Sequence, residues 1–160
     1  MNYDQAVDYL NSLTKFGIKF GLERITALCH AFGNPHRTLR VIHVAGTNGK
    51  GSTATFISSI LREAGYRTGL YLSPYVHDLR ERIQINGSLI GKQDFADLVS
   101  EIQPIADDLA ETDLGPVTEF ELKTMVAYLY LAREQVDFAV LEVGMGGGSM
   151  RPTWWSRWWR

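Results

Sequence analysis

The residues Val41-Ile42-His43-Val44-Ala45-Gly46-Thr47-Asn48-Gly49-Lys50-Gly51-Ser52 decide the fold. A β-branched apolar run enters a glycine-rich turn holding one lysine, and a hydroxyl residue then opens an amphipathic segment. This is the strand–loop–helix order of a phosphate cradle. Glycines let backbone N–H groups approach phosphate oxygens, and the lysine adds a point charge toward the β/γ end. The spacing departs from GxxxxGK[ST], because two residues separate Gly46 from Gly49 and Gly51 follows the lysine. The competing reading is a glycine-rich β–α turn with a stray lysine.

Outward from the cradle, strands and helices alternate. Thr38–Ala45 reads as a first strand, buried on both faces by its continuous apolar character. Ser52 begins a helix with Phe56, Ile57, Ile60, Leu61 and Ala64 inward, closed by Gly65. Arg67–Leu72 is a second strand ending at Ser73-Pro74, and Ile83–Ile90 is a hairpin turning on Asn86-Gly87. Phe138–Val143 is a third strand that carries Glu142 toward a second glycine loop, Gly144-Met145-Gly146-Gly147-Gly148. Between these lie a helix from Lys92, bent near Pro104, and one capped by Thr118 that runs to about Gln135. Upstream, Asn2 caps a first helix with Gln5 at the reciprocal position. A second helix turns Leu22, Ile25, Leu28, Cys29 and Phe32 to one face, which makes Cys29 a small core residue. His30 and His36 read as surface. The alternation argues an α/β fold with a parallel, doubly wound sheet flanked by helices and ligands at the strands' carboxyl ends.

Composition narrows the class. At 160 residues, 45% hydrophobic and 21% charged, the chain has the makeup of an ordinary globular protein with one core. A net charge of −2 gives no electrostatic case for nucleic acid or an anionic membrane. The lone Cys29 excludes an internal disulfide and fits a reducing compartment. With no signal-peptide pattern at the start and no membrane-length apolar run, the expected location is the cytoplasm.

Three strands end in candidate ligands: Lys50 after the first, Ser73 after the second and Glu142 at the third. A carboxylate and a hydroxyl beside a phosphate cradle suit Mg²⁺, which binds a few oxygens plus water and substrate phosphate. Glu142 ends an apolar run, where an unpartnered charge is costly. The competing readings are an arginine ion pair for Glu142 and a turn-forming Ser-Pro for Ser73.

Together, Gly46–Ser52, Ser73-Pro74 with Glu81-Arg82-Ile83, Thr118-Glu119-Phe120-Glu121 and Leu141–Gly147 resemble folylpolyglutamate synthase/dihydrofolate synthase, of the Mur-ligase superfamily. Gly17–Arg24 is similar to that family's amino-terminal substrate loop. The resemblance covers residues 1 to about 147, as the amino-terminal part of the ATP-binding ligase domain. Gly51 favours this family within the superfamily, since the peptidoglycan ligases usually carry a hydroxyl residue after the lysine. The resemblance implies an ATP- and Mg²⁺-dependent amide ligase of folate metabolism. It joins L-glutamate to dihydropteroate or folate through an acyl phosphate, and the parent enzyme is expected to be monomeric. By position, Gly46, Thr47, Asn48, Gly49, Lys50, Gly51 and Ser52 would hold ATP, with Lys50 stabilising the transferring phosphoryl. Ser73 and Glu142 would ligate Mg²⁺. Gly17, Ile18, Lys19, Phe20, Thr118, Glu119, Phe120 and Glu121 would line the pterin pocket. Arg82 would orient a carboxylate; its competing reading is a surface arginine. Two other functions stay open: another P-loop nucleotidase or kinase, and a non-catalytic nucleotide-binding or interaction remnant.

The resemblance stops at the tail. All four tryptophans fall in Trp154-Trp155-Ser156-Arg157-Trp158-Trp159-Arg160, and the tail from Ser149 has three arginines and no acid. The family continues with arginine, an aliphatic residue and Asp-Ala-Thr-Asn. Read from the third base of the Gly148 codon, the codons for Gly148–Arg160 permit an aliphatic residue followed by Asp-Ala-Thr-Asn-Val-Val-Glu-Pro-Leu-Val-Ala. One base lost from an arginine codon at 148 therefore yields residues 149–160 as an out-of-frame tail. On this reading the carboxyl-terminal ligase domain and the family's further Mg²⁺-binding histidine are missing. The expectation is a marginally folded chain without ligase activity.

Overall fold

The computed structural model of the protein describes residues 1–17 and 21–142. These fall into two compact units, one formed by residues 1–38 and 91–134, the other by residues 39–90 with the described residues 135–142.

The first unit is helical: α1 (Tyr3–Ser12), α2 (Glu23–Ala31), α4 (Lys92–Ala110) and α5 (Glu119–Arg133). Its starts are written locally. Asn2 accepts from the Gln5 N–H while the Gln5 side chain accepts from the Asn2 N–H, which closes the expected capping box on α1. Thr118 and Glu121 form the same reciprocal pair on α5. α4 runs continuously through Pro104. Apolar faces of the helices meet in a core that includes Leu10, Leu28, Phe95, Val99, Ile102, Leu122 and Met125.

The second unit holds β1 (Val41–Val44), α3 (Lys50–Glu63), β2 (Thr68–Tyr71), β3 (Ile83–Ile85), β4 (Ser88–Leu89) and β5 (Phe138–Glu142). The strands form one sheet in the order β1-β5-β2-β3-β4. β1, β5 and β2 are parallel, whereas β3 and β4 join antiparallel. The α/β fold is as expected, and the sheet is mixed because the Asn86-Gly87 hairpin extends it beside β2. Both turn residues have positive φ, 51° and 83°, the geometry a two-residue hairpin needs. α3 packs on the parallel part through Ala54, Ile57 and Leu61 over Val44, Leu70 and Val140.

Three expectations change here. β1 is not buried on both faces as expected; the central place belongs to β5, whose Phe138-Ala139-Val140-Leu141 run lies between β1 and β2 and is almost wholly buried. β1 pairs only with β5 among the described residues, so it is an edge strand and tolerates an exposed His43. On α3, Phe56 is 68% and Ile60 67% exposed, and the helix starts at Lys50 rather than Ser52. The helix seats on its narrow Ala54/Ser58 stripe, and the two large residues fall outside it. His36 is half-buried against the Tyr128 ring, 5.8 Å between centroids, and burial with Arg37 nearby holds its imidazole below the ordinary value.

Candidate functional site

At the carboxyl edge of the parallel strands, the loop after β1 delivers Gly49 as the N-cap of α3 with φ 71°, ψ 8°. This left-handed conformation suits glycine and turns the chain sharply into the helix. No side chain caps α3, so the first-turn N–H groups keep the positive helix end open to an anion. The only hydrogen bond of Lys50 Nζ among the described residues is a long one, 3.4 Å to the Thr47 carbonyl. Its charge is therefore available to a ligand.

The next strand over contributes Glu142. Parallel register puts it opposite Val44, at the level where β1 gives way to the glycine loop. Its carboxylate is buried, and Oε2 accepts the backbone N–H of Ser73 at 2.8 Å. The bare Cα of Gly51 faces the same group: a Cβ there would lie 3.5 Å from Oε2 and 3.8 Å from Oε1. Thus the cradle, the end of β5 and the end of β2 converge within one unit. Among the described residues Glu142 makes no ion pair, which removes the arginine alternative there. A buried carboxylate with one neutral donor retains lone pairs for a hard divalent cation, so Glu142, with Ser73 beside it, fits Mg²⁺. No cluster of three or more His, Cys, Asp or Glu side chains suited to a metal occurs among the described residues.

Beyond β2, the loop that follows Ser73 is tied down by Glu81. Its carboxylate accepts the N–H groups of Val76, His77 and Asp78 at 2.8–3.1 Å. These donors, Val76 first, hold its carboxyl below the usual range. Arg80 pairs with Asp78. Arg82 does not share this arrangement: its Nε and Nη1 are buried without a hydrogen-bond partner, and its guanidinium lies 5.6 Å from the Tyr75 ring centroid.

In the helical unit, Thr118–Glu121 opens α5. Glu121 Oε2 accepts both the N–H and the hydroxyl of Thr118, and Arg24 Nε reaches both carboxylate oxygens at 3.1 Å. Arg24 and Glu121 are each buried, and Glu119 pairs with Lys123. Of these four residues, Phe120 is the one left half exposed, with its ring free for contact. Sequence reasoning missed the Arg24 role, although an arginine four residues before Leu28 on a buried face calls for an acidic partner. The use of the Ser73 backbone N–H had no sequence signal. Cys29 lies beside the Met125 sulfur at 3.8 Å, and burial pushes its thiol up to about 12, consistent with a core residue. Gly17 follows a short 3-10 turn with φ 61°, while Ile18, Lys19 and Phe20 lie outside the described residues. So do the second glycine loop and the tail.

No family model matches the chain. The dihydrofolate synthase/folylpolyglutamate synthase of Bacillus subtilis is 44% identical over 146 residues, covering 91% of this chain and 34% of that protein. The crystal structure of folylpolyglutamate synthase from Thermotoga maritima superposes with a TM-score of 0.84 at 42% identity, covering 90% of this chain and 33% of that one. A folylpolyglutamate synthase complex with AMPPCP and folate gives 0.82 at 39% identity, covering 91% and 36%. The chain belongs to the folylpolyglutamate synthase/dihydrofolate synthase family. It spans about a third of the length of the folylpolyglutamate synthases it matches. Among the described residues, no helix is long and apolar enough to cross a membrane.

Proposed function

We propose that Gly46–Ser52 holds the phosphates of ATP in an amide ligase that joins L-glutamate to dihydropteroate or a folate. The observation that carries this reading is the meeting of Gly51, Glu142 and the Ser73 N–H at one sheet edge, beside an uncapped helix start. Support also comes from the relative solved with AMPPCP and folate. The N–H groups at the start of α3 receive phosphate oxygens. Lys50 stabilises charge as the γ-phosphoryl passes to the carboxylate of the acid substrate, giving ADP and an acyl phosphate. The glutamate amine then attacks the acyl carbon, phosphate leaves, and the amine gives up its proton. Glu142 and Ser73 would hold Mg²⁺, which when bound neutralises phosphate charge. Gly17–Phe20 and Phe120 contact the pterin, and Thr118, Glu119 and Glu121 shape the start of α5 that presents Phe120.

For this chain the proposal is binding of MgATP without turnover, in the cytoplasm, with residues 149–160 an out-of-frame tail. The test is calorimetric titration of the 160-residue chain with MgATP, together with ADP release in the presence of dihydropteroate or folate and glutamate. Saturable binding that Lys50→Ala abolishes, without ADP release, is expected. Equal binding by Lys50→Ala would overturn the nucleotide assignment, and folate-dependent ADP release would overturn the inactivity. Resequencing the coding DNA in independent clones decides the tail: an intact frame through codon 160 sinks the frameshift.

A further inference from the structure

Residues 72–82 carry the chain from the carboxyl end of β2 to the start of β3. The Leu72 N–H donates to the Arg82 carbonyl at 2.9 Å, which continues the Tyr71–Ile83 pairing and closes the loop at its base. Above that base two carboxylates hold the chain. The Ser73 N–H donates to Glu142 Oε2 at 2.8 Å. Further along, the Val76 N–H donates to Glu81 Oε2 at 2.8 Å, and the N–H groups of His77 and Asp78 donate to Glu81 Oε1 at 3.1 and 3.0 Å. The segment from Ser73 to Asp78 is strung between Glu142 at one end and Glu81 at the other.

Apolar burial does little to keep that segment in place, since Val76 is 77% and Tyr75 43% exposed, and Pro74 has no N–H to offer. Its hold is polar. An N–H donated to a carboxylate is shorter than a neutral hydrogen bond and roughly twice as strong. Glu81 is itself fixed to the root of β3. Its N–H donates to the Asp78 carbonyl at 2.9 Å, and its own carbonyl accepts the Gln84 side chain at 2.8 Å. Freeing residues 76–78 from Glu81 would therefore let Pro74 and Tyr75 swing, and the direction of the Ser73 N–H with them.

We infer that Glu81 is a positioning residue for Glu142. Through residues 76–78 it keeps the Ser73 N–H on one oxygen of the Glu142 carboxylate, which leaves the other open to Mg²⁺. This rests on the ligase reading above, in which Glu142 holds Mg²⁺. Partners behind a metal-ligating carboxylate set its direction, so losing one weakens the metal without removing a ligand.

The test uses the 160-residue chain labelled with ¹⁵N, and AMPPCP titrated with Mg²⁺ or with EDTA. Without nucleotide, the Ser73 amide proton is expected to move upfield in Glu81→Ala as its hydrogen bond weakens. Glu81→Gln keeps one acceptor oxygen, so its shift is expected to be smaller, and it carries the test if Glu81→Ala does not fold. Arg80→Ala breaks the neighbouring pair with Asp78 but spares the clamp, and Ser73 is expected to stay in place. The Mg²⁺-dependent gain in AMPPCP affinity is expected to fall by about tenfold in Glu81→Ala, with affinity in EDTA unchanged. An unmoved Ser73 amide in Glu81→Ala overturns the assignment, whether or not nucleotide binds. So does an equal shift in Arg80→Ala, which would mean general loosening of the loop. A Mg²⁺ dependence that survives Glu81→Ala, or a loss as large in EDTA, overturns it too. If AMPPCP binding by the unaltered chain ignores Mg²⁺ while Ser73 moves as expected, the positioning by Glu81 stands and the Mg²⁺ reading is removed instead.

Discussion

The Ser73 backbone N–H donates to Glu142 Oε2 at 2.8 Å, linking the ends of two adjacent parallel strands. Because the donor is main chain, the carboxylate is oriented whatever the Ser73 hydroxyl does. Glu142→Gln retains an acceptor for that N–H and removes the charge. The fold should therefore persist, while Mg²⁺-dependent nucleotide affinity falls by about 10–100-fold, as for other lost metal-site interactions. Calorimetry at fixed nucleotide and varied Mg²⁺ checks this, and an unchanged Mg²⁺ dependence would remove Glu142 from the site.

Gly49 sits at φ 71° where the cradle becomes α3. An L-residue pays roughly 1–2 kcal/mol for that conformation. Gly49→Ala should lower the unfolding free energy by about 1 kcal/mol in urea titration, and weaken MgATP as the loop shifts.

Arg24 and Glu121 are a buried ion pair that also sets the Thr118 cap. Arg24→Met leaves a buried carboxylate without its cation, a loss of about 3–5 kcal/mol. That is a large part of a typical stability of about 5–15 kcal/mol. Arg24→Met/Glu121→Gln should recover part of the loss. Denaturant melts of the wild type, Arg24→Met, Glu121→Gln and the double variant decide it, and additive single effects would argue against the coupling.

Phe56 and Ile60 leave an apolar face of α3 in water. Phe56→Gln/Ile60→Gln should reduce concentration-dependent association seen by light scattering, with stability changed by no more than about 0.5 kcal/mol, as for other exposed sites. Unaltered scattering would place the sticky surface elsewhere.

Glu81 has its carboxyl held below the ordinary value of 4.5, first by the Val76 N–H and then by that of Asp78. A depressed folded-state value means that the clamp's contribution is present above pH 4.5 and is lost as pH falls through the folded-state value. Amide signals of Val76, His77 and Asp78 should titrate together below pH 4.5, and Glu81→Ala should abolish that common titration.

The sequence by itself determined the elements and their chemistry. Asn2–Gln5, Thr118–Glu121, Asn86-Gly87 and the Gly46–Ser52 loop act over a few residues, so capping and turn geometry are written where they occur. It also placed Lys50, Ser73 and Glu142 at strand ends, because strand and helix alternate. Tertiary structure decided what depends on neighbours distant in the chain. β1 and β5 are both apolar runs, and only pairing makes one the edge and the other the centre. Phe56 and Leu61 both fit a helical stripe, and only the seat on the sheet leaves one exposed. The resemblance makes Glu121 a pocket residue, and only the fold brings Arg24, 97 residues away, onto its carboxylate. Whether a charged side chain in the site is engaged or open is a property of the packed surroundings, and that is what distinguishes Arg82 from Arg80.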